Sequence, residues 1–305
     1  VTDNSKQHLI LGGGEKFLHP NVDPSLLSGI MLNPMQQSEP SKIALFSGAQ
    51  YSWKQWKSEE AKKINDIAFN FVENGHFEDS KVSAAFRELG KHMINQNMDG
   101  RVVKLEESVE LAPKLTDFMT KLKAGQDVTA ERAALRAEFA KIKEAAELYK
   151  ASGDKKMVAQ IHYWLDNAID QMNALDAFLT GTEAMATNDA AKLWDSYYKG
   201  LKFYEQSQTH TFHYVDHLEK AELGVQHIRP FILSLKEVLA SEVQKVLHPD
   251  QIISTFITNR TGVEGGLAEV TDGDLATHAI IKSPNSIKTG DYIGMKFNKP
   301  VAIQT

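Results

Sequence analysis

Three histidines in the second half of the chain have a spacing that could bind a metal ion. His210, His213 and His217 are three and four residues apart, Asp216 lies between the last two, and His227 follows. In a helix this spacing puts the imidazoles on one face, where neutral imidazole nitrogens bind zinc or another borderline metal. A metal site also needs a further ligand and supporting hydrogen-bond partners, which the spacing does not supply. The sequence therefore favours the alternative, a histidine-rich and partly exposed linker helix, and predicts no metal site.

A second candidate is Asn33, which follows a short apolar run. The run from Gly29 to Leu32 is too short for a helix and long enough for a buried strand. It ends at Asn33-Pro34, where proline fixes φ, removes a hydrogen-bond donor and biases Asn33 toward an extended conformation. In (β/α)8 enzymes, the C-terminal ends of the barrel strands carry the substrate contacts. Asn33 is either such a contact or part of an Asn-Pro turn that only caps the following helix.

The composition excludes several classes of function. The 305 residues are 42% hydrophobic and 24% charged, which is ordinary for a soluble globular protein of about two domains. The chain contains no cysteine, which excludes disulfides, thiolate zinc sites and cysteine nucleophiles. The net charge is −6 and basic residues do not cluster, so a nucleic-acid or anionic-membrane partner lacks its electrostatic footprint. No apolar run approaches the roughly 18 residues of a membrane span, and a neutral or weakly charged ligand is the better candidate.

Three zones along the chain must position these residues. Residues 1–53 are rich in glycine and proline, 54–250 show sustained helical periodicity, and 251–305 contain strand-like runs at 252–257 and 292–297. In the middle zone the clearest apolar seam alternates three and four residues apart through Val158, Ile161, Leu165, Ala168, Met172, Leu175 and Leu179. A second seam just upstream consists of Leu135, Phe139, Ile142, Ala146 and Tyr149.

The two seams predict a pair of packed helices. The break at Gly153-Asp154 predicts that they fold back on each other as an antiparallel pair. Further periodic segments near 58–74, 80–97, 101–123, 189–206 and 225–247 extend the prediction to a helical bundle. We expect its aromatic residues to pack between helices rather than to form a cofactor site, and predict no cofactor. These aromatic residues are Trp164, Trp194, Tyr197 and Tyr198.

Residues 1–53 contain distinctive sequence motifs. Gly29-Ile-Met-Leu-Asn-Pro-Met35, Glu39-Pro-Ser-Lys-Ile-Ala44 and Tyr51-Ser-Trp53 closely resemble glycoside hydrolase family 84. That family contains β-N-acetylglucosaminidases, including O-GlcNAcases, and enzymes described as hyaluronidases. The opening Val1-Thr-Asp3, followed by His8-Leu-Ile-Leu-Gly12, is similar to the end of the family's Trp-x-Asn-Tyr-Pro-Val-x-Asp motif and the stretch after it. The resemblance implies that residues 1–53 are the last part of a (β/α)8 catalytic barrel, whose remainder lies upstream.

The resemblance also implies an activity and two site residues. Family 84 enzymes cleave terminal β-linked N-acetylglucosamine with retention: the 2-acetamido oxygen attacks the anomeric carbon, one aspartate orients it, and the adjacent aspartate serves as acid and base. This departs from the usual two-carboxylate scheme. In the family, the aspartate pair lies upstream of the Trp-x-Asn-Tyr-Pro-Val-x-Asp motif, whose last three residues correspond to Val1, Thr2 and Asp3 here. We therefore expect this chain to lack catalytic residues and to be inactive alone. Asp3 and Asn33 match residues that bind sugar hydroxyls. The implied partners are a glycan containing N-acetylglucosamine and the upstream barrel segment, in a secreted or cell-surface bacterial protein.

The third zone carries a second resemblance. The segments Gly266–Thr277 and Ser286–Gly294 look like the opening of a discoidin-like (factor 5/8 type C) sandwich. There, Asp272 and Asp274 would supply oxygen ligands to a structural calcium ion; a plain Asp-Gly turn is the alternative.

The sequence therefore predicts a mainly α protein. A helical bundle at 54–250 is preceded by the last part of a (β/α)8 barrel at 1–53 and followed by a short, truncated β segment at 251–305. The expected function is the C-terminal portion of a β-N-acetylglucosaminidase. One alternative is a non-catalytic helical accessory module that binds a glycan or a protein partner. A less favoured one is a histidine-dependent metal bundle.

Overall fold

The computed structural model describes residues 9–12, 23–54, 58–93, 106–214, 216–246, 254–259, 263–264, 280–281, 288–297 and 300–301. These residues contain eight α-helices: α1 (Ser38–Trp53), α2 (Ser58–Asn74), α3 (Lys81–Gly90), α4 (Ala112–Lys123), α5 (Thr129–Ser152), α6 (Lys155–Ala186), α7 (Ala190–Ser207) and α8 (Ile228–Lys245). The fold is mainly α, as predicted. No helix in the described ranges is long and apolar enough to cross a membrane.

The described strands form small antiparallel pairs. β1 (Thr211–Tyr214) pairs with β2 (His217–Lys220) as a hairpin between α7 and α8. Beyond α8, β3 (Ser254–Thr258) pairs with β6 (Ile293–Phe297), and β4 (Val263–Glu264) pairs with β5 (Ile280–Ile281). The strand-like runs predicted near 252–257 and 292–297 therefore coincide with β3 and β6.

The two predicted seams bury against each other as an antiparallel pair, α5 and α6. Arg132 near the start of α5 donates from Nε to the hydroxyl of Thr182 near the end of α6, at 3.0 Å. At the opposite end Lys150 pairs with Asp166. The turn between the helices uses Asp154 as the N-cap of α6, where its carboxylate accepts two backbone N–H bonds of the first turn. The periodicity and the Gly153-Asp154 break thus predicted this pair correctly.

Close approach of α7 and α8 to α6 depends on two glycines. At Gly200 on α7, an added Cβ would lie 2.4 Å from the ring of Phe178 on α6. At Gly181 on α6, it would lie 3.1 Å from the side chain of Leu239 on α8. The central helix is therefore surrounded closely enough to bury its apolar residues on several sides. These include Trp164, one of the aromatic residues predicted to pack inside the bundle, whereas Tyr198 on α7 is 39% exposed.

A second apolar layer joins α2 and α3 to α5. The ring of Phe86 stacks on Tyr149 with centroids 4.4 Å apart and meets Phe69 edge-on at 5.1 Å. The Tyr149 hydroxyl donates to Glu73 Oε2 on α2 at 2.6 Å, and the other oxygen of Glu73 accepts the backbone N–H of Asp154 at 2.8 Å. One carboxylate of α2 therefore holds the turn between α5 and α6.

The predictions for segments 29–32 and 101–123 differ from the structure. Residues 29–32 lie outside regular secondary structure, and Met31 is 98% exposed rather than buried. A strand needs a hydrogen-bonded neighbour, and no described strand pairs with this run. Of the helix expected over 101–123, the described residues 106–111 are not helical and α4 begins at Ala112; Ser108 adopts a left-handed φ of 53° that a helix does not accommodate.

Candidate functional site

Asn33 lies in an exposed segment that leads into α1. The segment follows a 3₁₀ turn at Pro24–Leu26 and has no regular secondary structure before Ser38. Asn33 itself is exposed, so its amide is accessible to a ligand. Asp3, the other predicted sugar contact, lies outside the described residues, as do Asp272 and Asp274 of the predicted calcium loop.

The residues that follow Asn33 are held by the buried residues 9–12. Leu9 to Leu11 are buried, and the backbone N–H of Ile10 contacts the sulfur of Met35 at 3.1 Å. The backbone N–H of Met35 donates to Ser41 Oγ at 2.9 Å. The main chain two residues beyond Asn33 is therefore fixed to both residues 9–12 and the first turn of α1.

The same end of α1 is attached to the helical bundle. Gln160 of α6 accepts the backbone N–H of Glu39 at 2.8 Å and donates to Ser38 Oγ at 3.1 Å. The first N–H groups of a helix have no partner within it, so Gln160 caps α1 from a distant helix. Gln36 adds a bond from its Nε2 to the carbonyl oxygen of His213 on β1, at 2.6 Å. The segment that carries Asn33 thus ends on a junction with α6 and the hairpin.

The expected linker helix around the histidines is wrong, because these residues form the β1–β2 hairpin. In this register His213 lies opposite Leu218, and Tyr214 opposite His217. Phe212 explains the preference: its ring is 4.6 Å from that of Trp164, and alternation along the strand then turns His213 outward. The packing on α6 therefore decides between strand and helix.

The hairpin separates the histidines into different environments. His210 Nε2 lies 2.8 Å from Asp170 Oδ2 on α6. His217 lies between Asp216 Oδ1 at 2.8 Å and Glu219 Oε1 at 2.9 Å. Among the described residues, no group of three or more histidine, aspartate or glutamate side chains could hold a metal ion. The geometry gives no support to the histidine-dependent metal bundle.

A buried carboxyl group that the sequence did not indicate caps α8. Glu107 is fully buried, and its Oε1 accepts the backbone N–H of Gln226, two residues before α8 begins. Burial raises the pKa of Glu107, backbone N–H bonds from Gln226 and His227 oppose the shift, and the charge of Glu222 adds to it; the resulting pKa is about 8. No local pattern links Glu107 to Gln226, so only the folded structure shows the contact.

Comparisons with known proteins match two regions of the chain, which are separated between α3 and α4. Residues 1–91 match the family model NAGidase, described as beta-N-acetylglucosaminidase. Residues 110–210 match NagJ_C, described as hyaluronidase post-catalytic domain-like. The first match contains Asn33 and α1, and the second contains α4 to α7, including Gln160.

Solved structures show the same fold. CpGH84D aligns with a TM-score of 0.68 and 25% identity over 78% of this chain and 38% of its own length. CpGH84B aligns with a TM-score of 0.61 and 22% identity over 77% of this chain and 38% of its own. A mutant of the Thermobaculum terrenum O-GlcNAc hydrolase aligns with a TM-score of 0.58 and 18% identity, over 78% of this chain and 47% of its own. The chain thus spans less than half the length of these structures, and it has a region like the C-terminal part of family 84 proteins.

Proposed function

We propose that this chain is the C-terminal portion of a retaining β-N-acetylglucosaminidase that acts on terminal β-linked N-acetylglucosamine. The observation that carries the proposal is the order of the two family matches, a β-N-acetylglucosaminidase match at 1–91 followed by a post-catalytic match at 110–210. Two hydrogen bonds between Gln160 and residues Ser38 and Glu39 join the two matched regions at the start of α1. The junction gives the proposal a structural basis within this chain.

In this proposal Asn33 and Asp3 bind sugar hydroxyls. An amide both donates and accepts hydrogen bonds, as a hydroxyl does, and an ionised carboxylate accepts two hydroxyl protons strongly. Hydrogen bonds from the helical bundle fix the position at which the Asn33 segment joins α1. The resemblance matches Asp3 and Asn33 to sugar-binding residues of the family, but it matches no residue of this chain to the adjacent catalytic aspartates. The chain alone should therefore not turn over substrate.

Two further features belong to the same proposal. The pairs β3–β6 and β4–β5 are consistent with the start of a discoidin-like module that follows the bundle. From the resemblance to family 84 alone, we propose a secreted or cell-surface location.

The test is hydrolysis of a chromogenic β-N-acetylglucosaminide by the chain alone and by the chain joined to the barrel segment encoded ahead of it. We expect no turnover by the chain alone and turnover by the joined protein. In the joined protein, Asn33→Ala should lower kcat/KM at least about tenfold, which corresponds to about 1.4 kcal/mol of lost binding. Ser28→Ala, an exposed change in the same segment, is the matched control and should leave kcat/KM unchanged.

Two results would contradict the proposal. Turnover by the chain alone would require catalytic carboxylates within residues that we assign to the bundle. A joined protein that folds, but hydrolyses no β-N-acetylglucosaminide, would favour the accessory-module alternative.

A further inference from the structure

A cavity of about 220 Å³ lies beside α3 and α5, away from the Asn33 segment. His92 and Ser108 line its buried side, and lysine and glutamate side chains from α2, the end of α3, the loop before α4, and α5 line the rest. Val109 and Leu111 supply apolar surface at the same opening. The lining therefore combines a buried polar group, paired charges and a small apolar face.

His92 brings a buried nitrogen without a hydrogen-bond partner to this cavity. The residue is 4% exposed, and its Nδ1 lies 2.8 Å from Ser108 Oγ. Among the described residues Nε2 has no hydrogen-bond partner, and it lies 3.9 Å from Glu88 Oε1. A buried polar atom left unpaired costs roughly 1–3 kcal/mol. A ligand oxygen between Nε2 and Glu88 would bond to both groups.

Ser108 is held in a strained conformation at the same place. Its φ is 53°, in the left-handed region that residues other than glycine rarely adopt. Its backbone N–H donates to the carbonyl of Lys91 at 2.7 Å, while its hydroxyl meets His92. Strain of this kind persists where surrounding contacts impose it, often at binding sites. Here those contacts fix the orientation of the His92 ring.

Glu88 is already paired with two lysines that line the cavity. Glu88 accepts from Lys91 at 2.8 Å and from Lys141 at 2.9 Å. Burial alone would raise the pKa of Glu88, but the neighbouring His92 ring and the hydrogen bonds from Lys91 and Lys141 outweigh it and hold that pKa well below its ordinary value. A charged ligand would have to separate these pairs. A neutral hydroxylated ligand accepts from an ammonium and donates to a carboxylate without separating them.

We propose that this cavity binds one saccharide unit of a glycan, with hydroxyl groups on His92, Glu88 and Lys141 and a C–H face against Val109. The site is separate from Asn33 and does not depend on the proposed hydrolysis. A second contact on one glycan chain would raise the effective concentration of the chain at the enzyme. The helical bundle would then contribute to glycan binding.

The experiment is a titration of this chain with N-acetylglucosamine, followed by NMR through the assigned ring signals of His92. We expect a saturable shift with a Kd of about 1–10 mM. Lys141→Met keeps the aliphatic stem and removes the ammonium, and it should weaken binding about tenfold. Lys143→Met, a change at a half-buried lysine two residues further along α5 that does not line the cavity, is the matched control and should not alter the Kd. Thermal unfolding of each variant checks that the fold is intact.

Asn33→Ala separates this site from the one in the proposed function, because it should leave the His92 titration unchanged. The proposal is overturned if the His92 signals do not shift, or if Lys141→Met and Lys143→Met bind equally well. It is also overturned if glycine or inorganic phosphate, used as charged probes, displaces the sugar at lower concentration. Loss of sugar binding in Asn33→Ala, with Lys141→Met unaffected, would assign the binding to the first zone instead.

Discussion

The carboxyl group of Glu107 accepts a hydrogen bond from the backbone N–H of Gln226, 119 positions away in the sequence. The contact places an acidic side chain at the N-terminus of α8, whose N-cap residue makes no side-chain capping bond of its own. Burial, opposed by two backbone N–H bonds and reinforced by Glu222, raises the pKa of Glu107 from 4.5 to about 8. The folded protein therefore holds this proton at pH values where the unfolded chain releases it.

Glu107→Gln should remove a pH dependence of stability. The folded state binds one more proton than the unfolded state between about pH 4.5 and 8, so stability falls as pH rises through that window and is level on either side. The slope from one such group is at most about 1.4 kcal/mol per pH unit. Glutamine keeps the acceptor oxygen and cannot ionise. We expect the variant to gain on the wild type in urea unfolding as pH rises from 5 to 8.

Glu110→Gln is the control for this effect, because Glu110 is an exposed carboxylate of the same loop. Its curve of unfolding free energy against pH should run parallel to that of the wild type. Parallel curves for Glu107→Gln and wild type would show that Glu107 is ionised in the folded protein and would contradict the prediction.

Glu73→Ala should destabilise the turn between α5 and α6. The change removes the acceptor for the buried Tyr149 hydroxyl and for the Asp154 backbone N–H. Burial and then the hydrogen bond to Glu73 raise the pKa of Tyr149, which keeps its hydroxyl protonated as a donor. We expect a loss of about 2–4 kcal/mol in urea unfolding.

Tyr149→Phe completes a double-mutant cycle with Glu73→Ala. It removes the hydroxyl together with its need for a partner, so it should cost less than Glu73→Ala. The double variant should be more stable than the sum of the two losses predicts. Strict additivity would mean that the 2.6 Å contact contributes no coupling energy.

Gly200→Ala should force α7 away from α6. The added methyl group would lie 2.4 Å from the Phe178 ring, which is fully buried. Overpacking of this kind costs about 1–3 kcal/mol. Gly181→Ala is the comparison, since its methyl group would meet only the flexible end of Leu239 at 3.1 Å. Thermal unfolding should show a clearly larger drop in Tm for Gly200→Ala, and equal drops would contradict this account of the α6–α7 contact.

The sequence predicted those parts of the fold that local patterns determine. The apolar seam from Ile161 to Leu179 follows the helical period, and the core of the bundle buries it. The hairpin at His213 was missed because its conformation depends on the packing of Phe212 against Trp164, 48 positions apart, which no local period encodes. Periodicity within a short segment does not contain that information.

The candidate site was also only partly predictable from local sequence patterns. The motif around Asn33 marked the segment, but the contacts that hold it come from residues with no signature of their own. Gln160 is one glutamine on a long helix, and only the folded chain places it at the N-terminus of α1. The capping carboxyl group of Glu107 was missed for the same reason. In each case a polar side chain satisfies backbone groups that are distant in sequence.

Asn167 offers the sharpest test of such a long-range contact. It is buried on α6, donates to the carbonyl of Ser207 at the end of α7 at 2.9 Å, and accepts the backbone N–H of Leu223 at 2.9 Å. Asn167→Ala leaves both backbone groups unpaired and should cost about 2–4 kcal/mol in urea unfolding. Asn173→Ala, at a half-buried position on the same helix, should cost much less.

Asn167→Asp separates the loss of the donor from the loss of the acceptor. The aspartate still accepts from Leu223, but at neutral pH it is a buried charge facing the Ser207 carbonyl, so its pKa in the folded protein should lie above its ordinary value. Stability of this variant should therefore fall as pH rises from 4 to 7, relative to the wild type. When protonated, the aspartic acid can donate to Ser207 and accept from Leu223, so at pH 4 it should approach the wild type and exceed Asn167→Ala. A variant that is equally unstable at both pH values would show that Asn167 acts through its packing and not through these two hydrogen bonds.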